Sequence, residues 1–134
     1  INSLKKDPVK EIQKITDGGA DMALDTFGRG TVTNQAINST KRKGTTIIVG
    51  LSPTGDTVNA DMIDLCRNQK TLVGSFYGSV SPHESFNQIV KHYLKGEIDI
   101  RGLVERTYNL EQINDAFKDL TDGQDGRGII IFPN

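Results

Sequence analysis

The sequence contains a single cysteine, Cys66, so no intrachain disulfide can form and no cage of several cysteines can hold zinc. Neither sign of charge is in excess. Sixteen Lys and Arg against 17 Asp and Glu leave a net charge of -1, which gives no electrostatic ground for binding nucleic acid or an anionic membrane. Long apolar runs are missing as well. The longest, Ile47-Ile48-Val49 and Ile129 to Phe132, fall far short of the roughly 20 residues that cross a bilayer. No charged-then-apolar leader opens the sequence, which makes the cytoplasm the expected location. Repeats, low-complexity tracts and flexible linkers are absent too. What remains is 134 residues, 35% of them hydrophobic, a length and composition suited to one globular domain with a core. The first residue is Ile1 and not Met, and the expectation is a processed product or a piece of something longer.

The pattern along the chain alternates between helix and strand. Asp7 can cap a helix that has Pro8 in its first turn and Val9, Ile12 and Ile15 on one face, ended by Gly18-Gly19. Ala20 to Leu24 reads as a strand leading to Asp25-Thr26-Phe27-Gly28. A helix is expected from about Thr31 to Lys43, with Val32, Ala36 and Ile37 inward. Its Lys41-Arg42-Lys43 run is read as cations complementing a helix C-terminus in preference to an anion site. Thr45 to Val49 is β-branched without polar alternation, the composition of a strand buried on both faces. A loop at Ser52 to Asp56, a short helix around Asp61 to Asn68 and a strand from Thr71 to Phe76 follow. Strand, helix, strand, helix, strand at this spacing is a right-handed βαβαβ unit. Beyond Ser79, Ser81-Pro82-His83-Glu84 is a capping box opening a helix with Phe86, Ile89, Val90, Tyr93 and Leu94 in register, stopped by Gly96. Leu103 to Tyr108 alternates as a strand. Asn109 and Gln112 cap a last helix carrying Ile113, Ala116, Phe117 and Leu120, and Gly128 to Phe132 closes the chain as a strand.

Ligands of open parallel sheets collect outside the carboxyl ends of the strands. Three such ends are expected here: Thr26-Phe27-Gly28, Val49-Gly50-Leu51 and Ser75-Phe76-Tyr77-Gly78. Each carries a glycine, which permits positive φ and close approach of a flat ligand to the main chain, or simply makes a turn. Other motifs fail. Gly28-Arg29-Gly30-Thr31-Val32-Thr33 lacks the third glycine of a dinucleotide fingerprint, and the run Gly123 to Gly128 precedes a strand instead of following one. There is no phosphate-binding P-loop. His83 and His92 stand nine residues apart with one distant cysteine, which is no metal site; His83 reads as a solvated first-turn residue and His92 as a surface or half-buried one. Cys66 reads as a small packed hydrophobe. Arg127 opens the last strand, where its guanidinium suits a diphosphate or serves as a surface charge.

Taken in order, these segments resemble medium-chain, zinc-type alcohol dehydrogenases. Gly19 to Arg29 resembles the fourth strand of that family's cofactor domain, Gly44 to Leu51 the next strand with its Val-Gly turn, and Gly74 to Ser79 the segment where the chain leaves that domain. Tyr93 to Ile98, Leu103 to Tyr108, Leu110 to Phe117 and Arg127 to Phe132 are similar to its C-terminal section. The resemblance implies an α/β fold: the second half of a doubly wound, Rossmann-type parallel sheet (residues 1–78), then a helix-strand-helix-strand extension belonging to the catalytic domain (residues 79–134). It implies that Thr26, Phe27, Val49, Gly50, Leu51, Ser75, Phe76 and Tyr77 line the nicotinamide and ribose of NAD or NADP. Arg127 then meets the cofactor diphosphate, and Arg29 lies near the adenosine side.

The family's glycine-rich fingerprint, its catalytic zinc ligands and its proton-relaying hydroxyl belong upstream of Ile1. The implied function is therefore that of a segment of an NAD(P)-dependent oxidoreductase acting on an alcohol or aldehyde. Zinc is expected only in the complete enzyme, and the segment alone is expected to be inactive, with no catalytic or metal-binding residue of its own. The alternative is a non-catalytic α/β module for assembly or weak nucleotide binding. Homo-oligomers are expected, because Ala20 to Asp25 would lose the neighbouring strand of the doubly wound order and open strands recruit other chains; a contact near Thr57-Val58-Asn59 is also implied by the resemblance.

Overall fold

A computed structural model describes residues 1–124 and 126–133. Asp125, within the glycine run rejected above, lies outside the described residues. The chain divides into two compact units, Ile1–Val80 and Ser81–Asn134.

In the first unit, α1 (Pro8–Ile15) starts as its sequence dictates: the Asp7 carboxylate accepts from the N–H groups of Val9 (3.0 Å) and Lys10 (3.4 Å), with Pro8 in the first turn. The strands β1 (Ala20–Asp25), β2 (Thr40–Ile48) and β3 (Thr71–Gly74) form one parallel sheet in the order β1-β2-β3. Helix α2 (Gly30–Ser39) connects the first two strands and α3 (Met62–Asn68) the second pair. This is the α/β arrangement expected of the sequence. Among the described residues, Ile37 is the one fully buried large apolar side chain, and Asp25, Thr33, Ser39, Thr40 and Thr46 share the interior with it. Lys70 pins the amino ends of the strands: its nearly buried ammonium donates to the Ile37 carbonyl (3.0 Å) and meets Asp64 (2.9 Å). The Lys70 hydrogen bond is the main reason the Asp64 carboxyl is held below its ordinary pKa.

Several boundaries differ from the sequence expectation, among them that of the last strand, which runs Arg127–Ile130 where Gly128 to Phe132 was expected. Helix α2 ends at Ser39, not Lys43, because Thr40 is already extended and its hydroxyl closes the helix by donating to the Ile37 carbonyl at 2.8 Å. The Lys41-Arg42-Lys43 run consequently lies in β2 and is not a helix C-terminus. It forms an irregularity between the Ala20–Thr40 and Met22–Thr45 pairs, with Lys43 at φ 62° and Lys41 paired to Asp21 at 2.6 Å. Strand β3 stops at Gly74, two residues before Phe76, as the chain turns through Tyr77–Ser79 with φ positive at all three residues. Cys66, expected to pack as a small hydrophobe, is exposed, whereas its neighbours Asp64 and Leu65 on α3 are half-buried.

The second unit contains α4 (Pro82–Leu94), β4 (Val104–Tyr108), α5 (Ile113–Thr121) and β5 (Arg127–Ile130), with β4 and β5 parallel. Ser81 precedes α4 as expected, but its hydroxyl makes no capping bond, so the capping box does not form and Pro82 alone marks the start. By contrast, Asn109 and Gln112 form a complete reciprocal box before α5, at 3.2 and 3.1 Å. Gly96 (φ 72°) and Gly123 (φ 70°) each end a helix in the left-handed conformation, with paired carbonyl bonds behind them. No helix among the described residues is long and apolar enough to cross a membrane.

Candidate functional site

The parallel register puts the last residues of the three strands in one row: Asp25 pairs with Ile48, and Ile48 with Gly74. The ladder continues one step further, through Val49 N–H to the Asp25 carbonyl (2.8 Å) and Ser75 N–H to the Ile48 carbonyl (2.8 Å). Thr26, Val49 and Ser75 therefore leave the sheet along the same edge. Phe27 (70% exposed), Leu51 (75%), Phe76 (63%) and Tyr77 (72%) stand open to solvent beyond it. Phe76 and Tyr77 meet edge to face, with ring centroids 4.5 Å apart. Nine of the ten expected site residues thus belong to one sheet edge or the turn after it. Arg29, exposed, precedes α2 without capping it. The tenth, Arg127, is exposed at the start of β5 in the second unit.

The residue that organises this edge is one the sequence reading passed over. Asp25 is 2% exposed. One carboxylate oxygen accepts from the N–H groups of Phe27 (2.9 Å) and Gly28 (3.1 Å), and the other accepts the Thr33 hydroxyl from α2 at 2.5 Å. Burial pushes this carboxyl upward, but the Thr33 hydroxyl and the two backbone N–H groups outweigh it and hold the pKa below the ordinary value. An ionised group is thereby kept inside the sheet, fully hydrogen-bonded. The signal was present in the sequence as an acidic residue ending an apolar strand, eight positions before a threonine.

Glycine at the strand ends has a definite cause. A Cβ on Gly28 (φ 77°) would lie 2.6 Å from the Gly50 carbonyl carbon, and one on Gly50 would lie 2.3 Å from the Gly28 nitrogen. The two turns pack backbone against backbone, so the space freed by these glycines is filled by the neighbouring turn. Asp56 completes the arrangement by accepting the Gly30 N–H at 3.0 Å, supplying the cap that Arg29 does not.

Flat apolar surfaces beside main-chain donors and acceptors suit an aromatic amide ring with a ribose. They do not suit a metal. Among the described residues no group of three or more His, Cys, Asp or Glu could hold a metal ion. His83 and His92 are both exposed on α4, and the His92 ring pairs with Glu97.

Comparison with known proteins shows the family to which these features belong. Residues 1–95 match the zinc-binding dehydrogenase family. A putative alcohol dehydrogenase D of Mycobacterium tuberculosis is 35% identical over 127 residues, covering 90% of this chain and 34% of that protein. The crystal structure of a benzyl alcohol dehydrogenase from Acinetobacter calcoaceticus matches with a TM-score of 0.91 and 33% identity, over 99% of this chain and 36% of that one. An alcohol dehydrogenase zinc-binding domain protein from Burkholderia ambifaria matches with a TM-score of 0.90 and 34% identity, over 100% and 36%. The chain thus spans about a third of the length of the relatives it matches.

Proposed function

The chain belongs to the zinc-binding dehydrogenase family, and from that premise we propose that it supplies the nicotinamide wall of an NAD(P)-dependent oxidoreductase acting on an alcohol or aldehyde. The observation that carries this reading is the single row of parallel strand ends, with Phe27, Leu51, Phe76 and Tyr77 exposed along it. The bound nicotinamide supplies the hydride-accepting or hydride-donating carbon. In this reading the chain's own residues bind and orient. The backbone of Val49, Gly50 and Leu51 and of Ser75, Phe76 and Tyr77 offers hydrogen bonds to the carboxamide and ribose. Thr26 and Phe27 would line the nicotinamide and ribose with them, and the apolar side chains would exclude water. Arg29 sits toward the adenosine and Arg127 takes the diphosphate. Residues 1–78 serve as part of the cofactor domain and residues 79–134 as part of the catalytic domain.

No group among the described residues fits zinc, so in this reading its ligands and any Lewis-acid chemistry come from elsewhere in the complete protein, and the segment alone is inactive. Self-association through the open outer edge of β1, where Met22 and Leu24 are exposed, is part of the same proposal.

The experiment is Arg127→Ala in the full-length protein. Losing a charge-assisted contact to phosphate costs roughly 1.5–3 kcal/mol, or about 10- to 150-fold in affinity. The cofactor KM should rise by that factor, with a smaller change in kcat. An unchanged KM would reduce Arg127 to a surface charge.

A further inference from the structure

The second unit shows how Arg127 is set in place. In the β4–β5 pairing Val104 stands opposite Arg127 and Arg106 opposite Gly128, so β4 carries one additional residue, Glu105, at this step. That is a β-bulge beside Arg127, a device that re-aims a neighbouring residue. Both residues flanking Arg127 are glycines lying under side chains of β4. A Cβ on Gly126 (φ 80°) would stand 2.4 Å from Cγ of Glu105, and one on Gly128 would stand 2.7 Å from Cε2 of Tyr108. Glu105 is exposed and can swing away, whereas Tyr108 is tied down through both its side chain and its backbone. Its hydroxyl donates to the Asp119 carboxylate on α5 at 2.7 Å, and its carbonyl accepts the Ile131 N–H of the chain leaving β5 at 2.8 Å. The bond to Asp119 also raises the Tyr108 phenol above its ordinary pKa.

We propose that Tyr108, anchored by Asp119 and seated on Gly128, is a positioning residue that fixes the backbone of Arg127 for the cofactor diphosphate. The proposal rests on the reading of Arg127 given above. A guanidinium recognises a diphosphate through two parallel hydrogen bonds, which demand a defined origin and direction for a long side chain. Tyr108 supplies the origin without touching the ligand. Gly128 is needed because any side chain there would lift the ring off the strand.

A double-mutant cycle in the full-length protein tests this, with the cofactor KM and the NADH dissociation constant as readouts. Tyr108→Ala should weaken NADH binding between about 2- and 150-fold, the span of measured coupling between residues that share a network. In an Arg127→Ala background the same change should have no further effect. Tyr108→Phe, which keeps the ring on Gly128 and loses only the Asp119 bond, should shift affinity in the same direction by less and should also be silent without Arg127; it serves if Tyr108→Ala does not fold. Equal losses with and without Arg127 would overturn the proposal, because Tyr108 would then act on the fold alone. If Arg127→Ala itself leaves NADH binding unchanged, the reading of Arg127 fails and the proposal fails with it.

Discussion

Asp25→Ala is expected to destabilise the first unit by about 3–5 kcal/mol, enough to unfold a marginal domain. The carboxylate accepts three hydrogen bonds, from Phe27, Gly28 and Thr33, and truncation leaves all three donors without their partner. A buried donor left unmet costs roughly 1–3 kcal/mol. Phe27 stands near the surface and can turn to water, whereas Gly28 and Thr33 are buried and cannot. Urea denaturation of wild-type and variant chains measures the difference. A loss under about 1 kcal/mol would mean that the turn after β1 is held by the Gly28–Gly50 packing instead.

The same group imposes an acid-side limit. Its folded pKa lies below the ordinary carboxylate value of about 3.9. The carboxylate contributes its full stabilisation above that ordinary value and loses it as pH falls through the folded one. Asp25→Asn should therefore flatten the decline of stability below about pH 4.

Gly28→Ala carries the second large effect, about 2–4 kcal/mol, from two independent causes. Alanine at φ 77° is strained, which by itself costs about 1 kcal/mol or more. The new methyl also meets backbone atoms of Gly50 and Leu51 at 2.6 to 2.7 Å, and overpacking of that kind costs roughly 1–3 kcal/mol. Backbone cannot rotate aside as a side chain can, so the β1 and β2 turns must separate. Gly55→Ala is the control: φ is 91° there, but nothing lies within 4 Å of the added Cβ, and only the conformational cost remains. Equal melting temperatures for the two variants would show that the Gly28–Gly50 contact adds nothing.

The parts legible in the sequence were those decided locally. Asp7 and the Asn109–Gln112 pair each cap the helix they precede, and Gly96 and Gly123 end theirs. The shared direction of the strands is legible as well, because a run of alternating strands and helices leaves little choice but parallel strands pointing one way. What escaped depended on partners distant in sequence. The end of α2 was misplaced because Lys41 to Lys43 suit a helix terminus by composition, while their position is set by pairing β2 against Ala20 and Met22. Asp25 was passed over because its meaning lies in Thr33, on the next helix. The sequence leaves Gly28 and Gly50 open between room for a ligand and a simple turn, and does not show that each lies against the backbone of the other. Cys66 was expected inside on residue type alone, and residue type does not tell which face of a helix finds a neighbour.

The most direct test is hydrogen exchange of the full-length protein, followed by mass spectrometry with and without saturating NADH. If the strand ends form the nicotinamide wall, protection should rise in the segments around Thr26 to Arg29, Val49 to Leu51 and Ser75 to Tyr77. It should rise least at the opposite edge of the sheet, around Lys41 and Lys70. Those three segments left unprotected by saturating NADH and by saturating NADPH alike, or protection of the Lys41 and Lys70 edge in their place, would contradict the assignment.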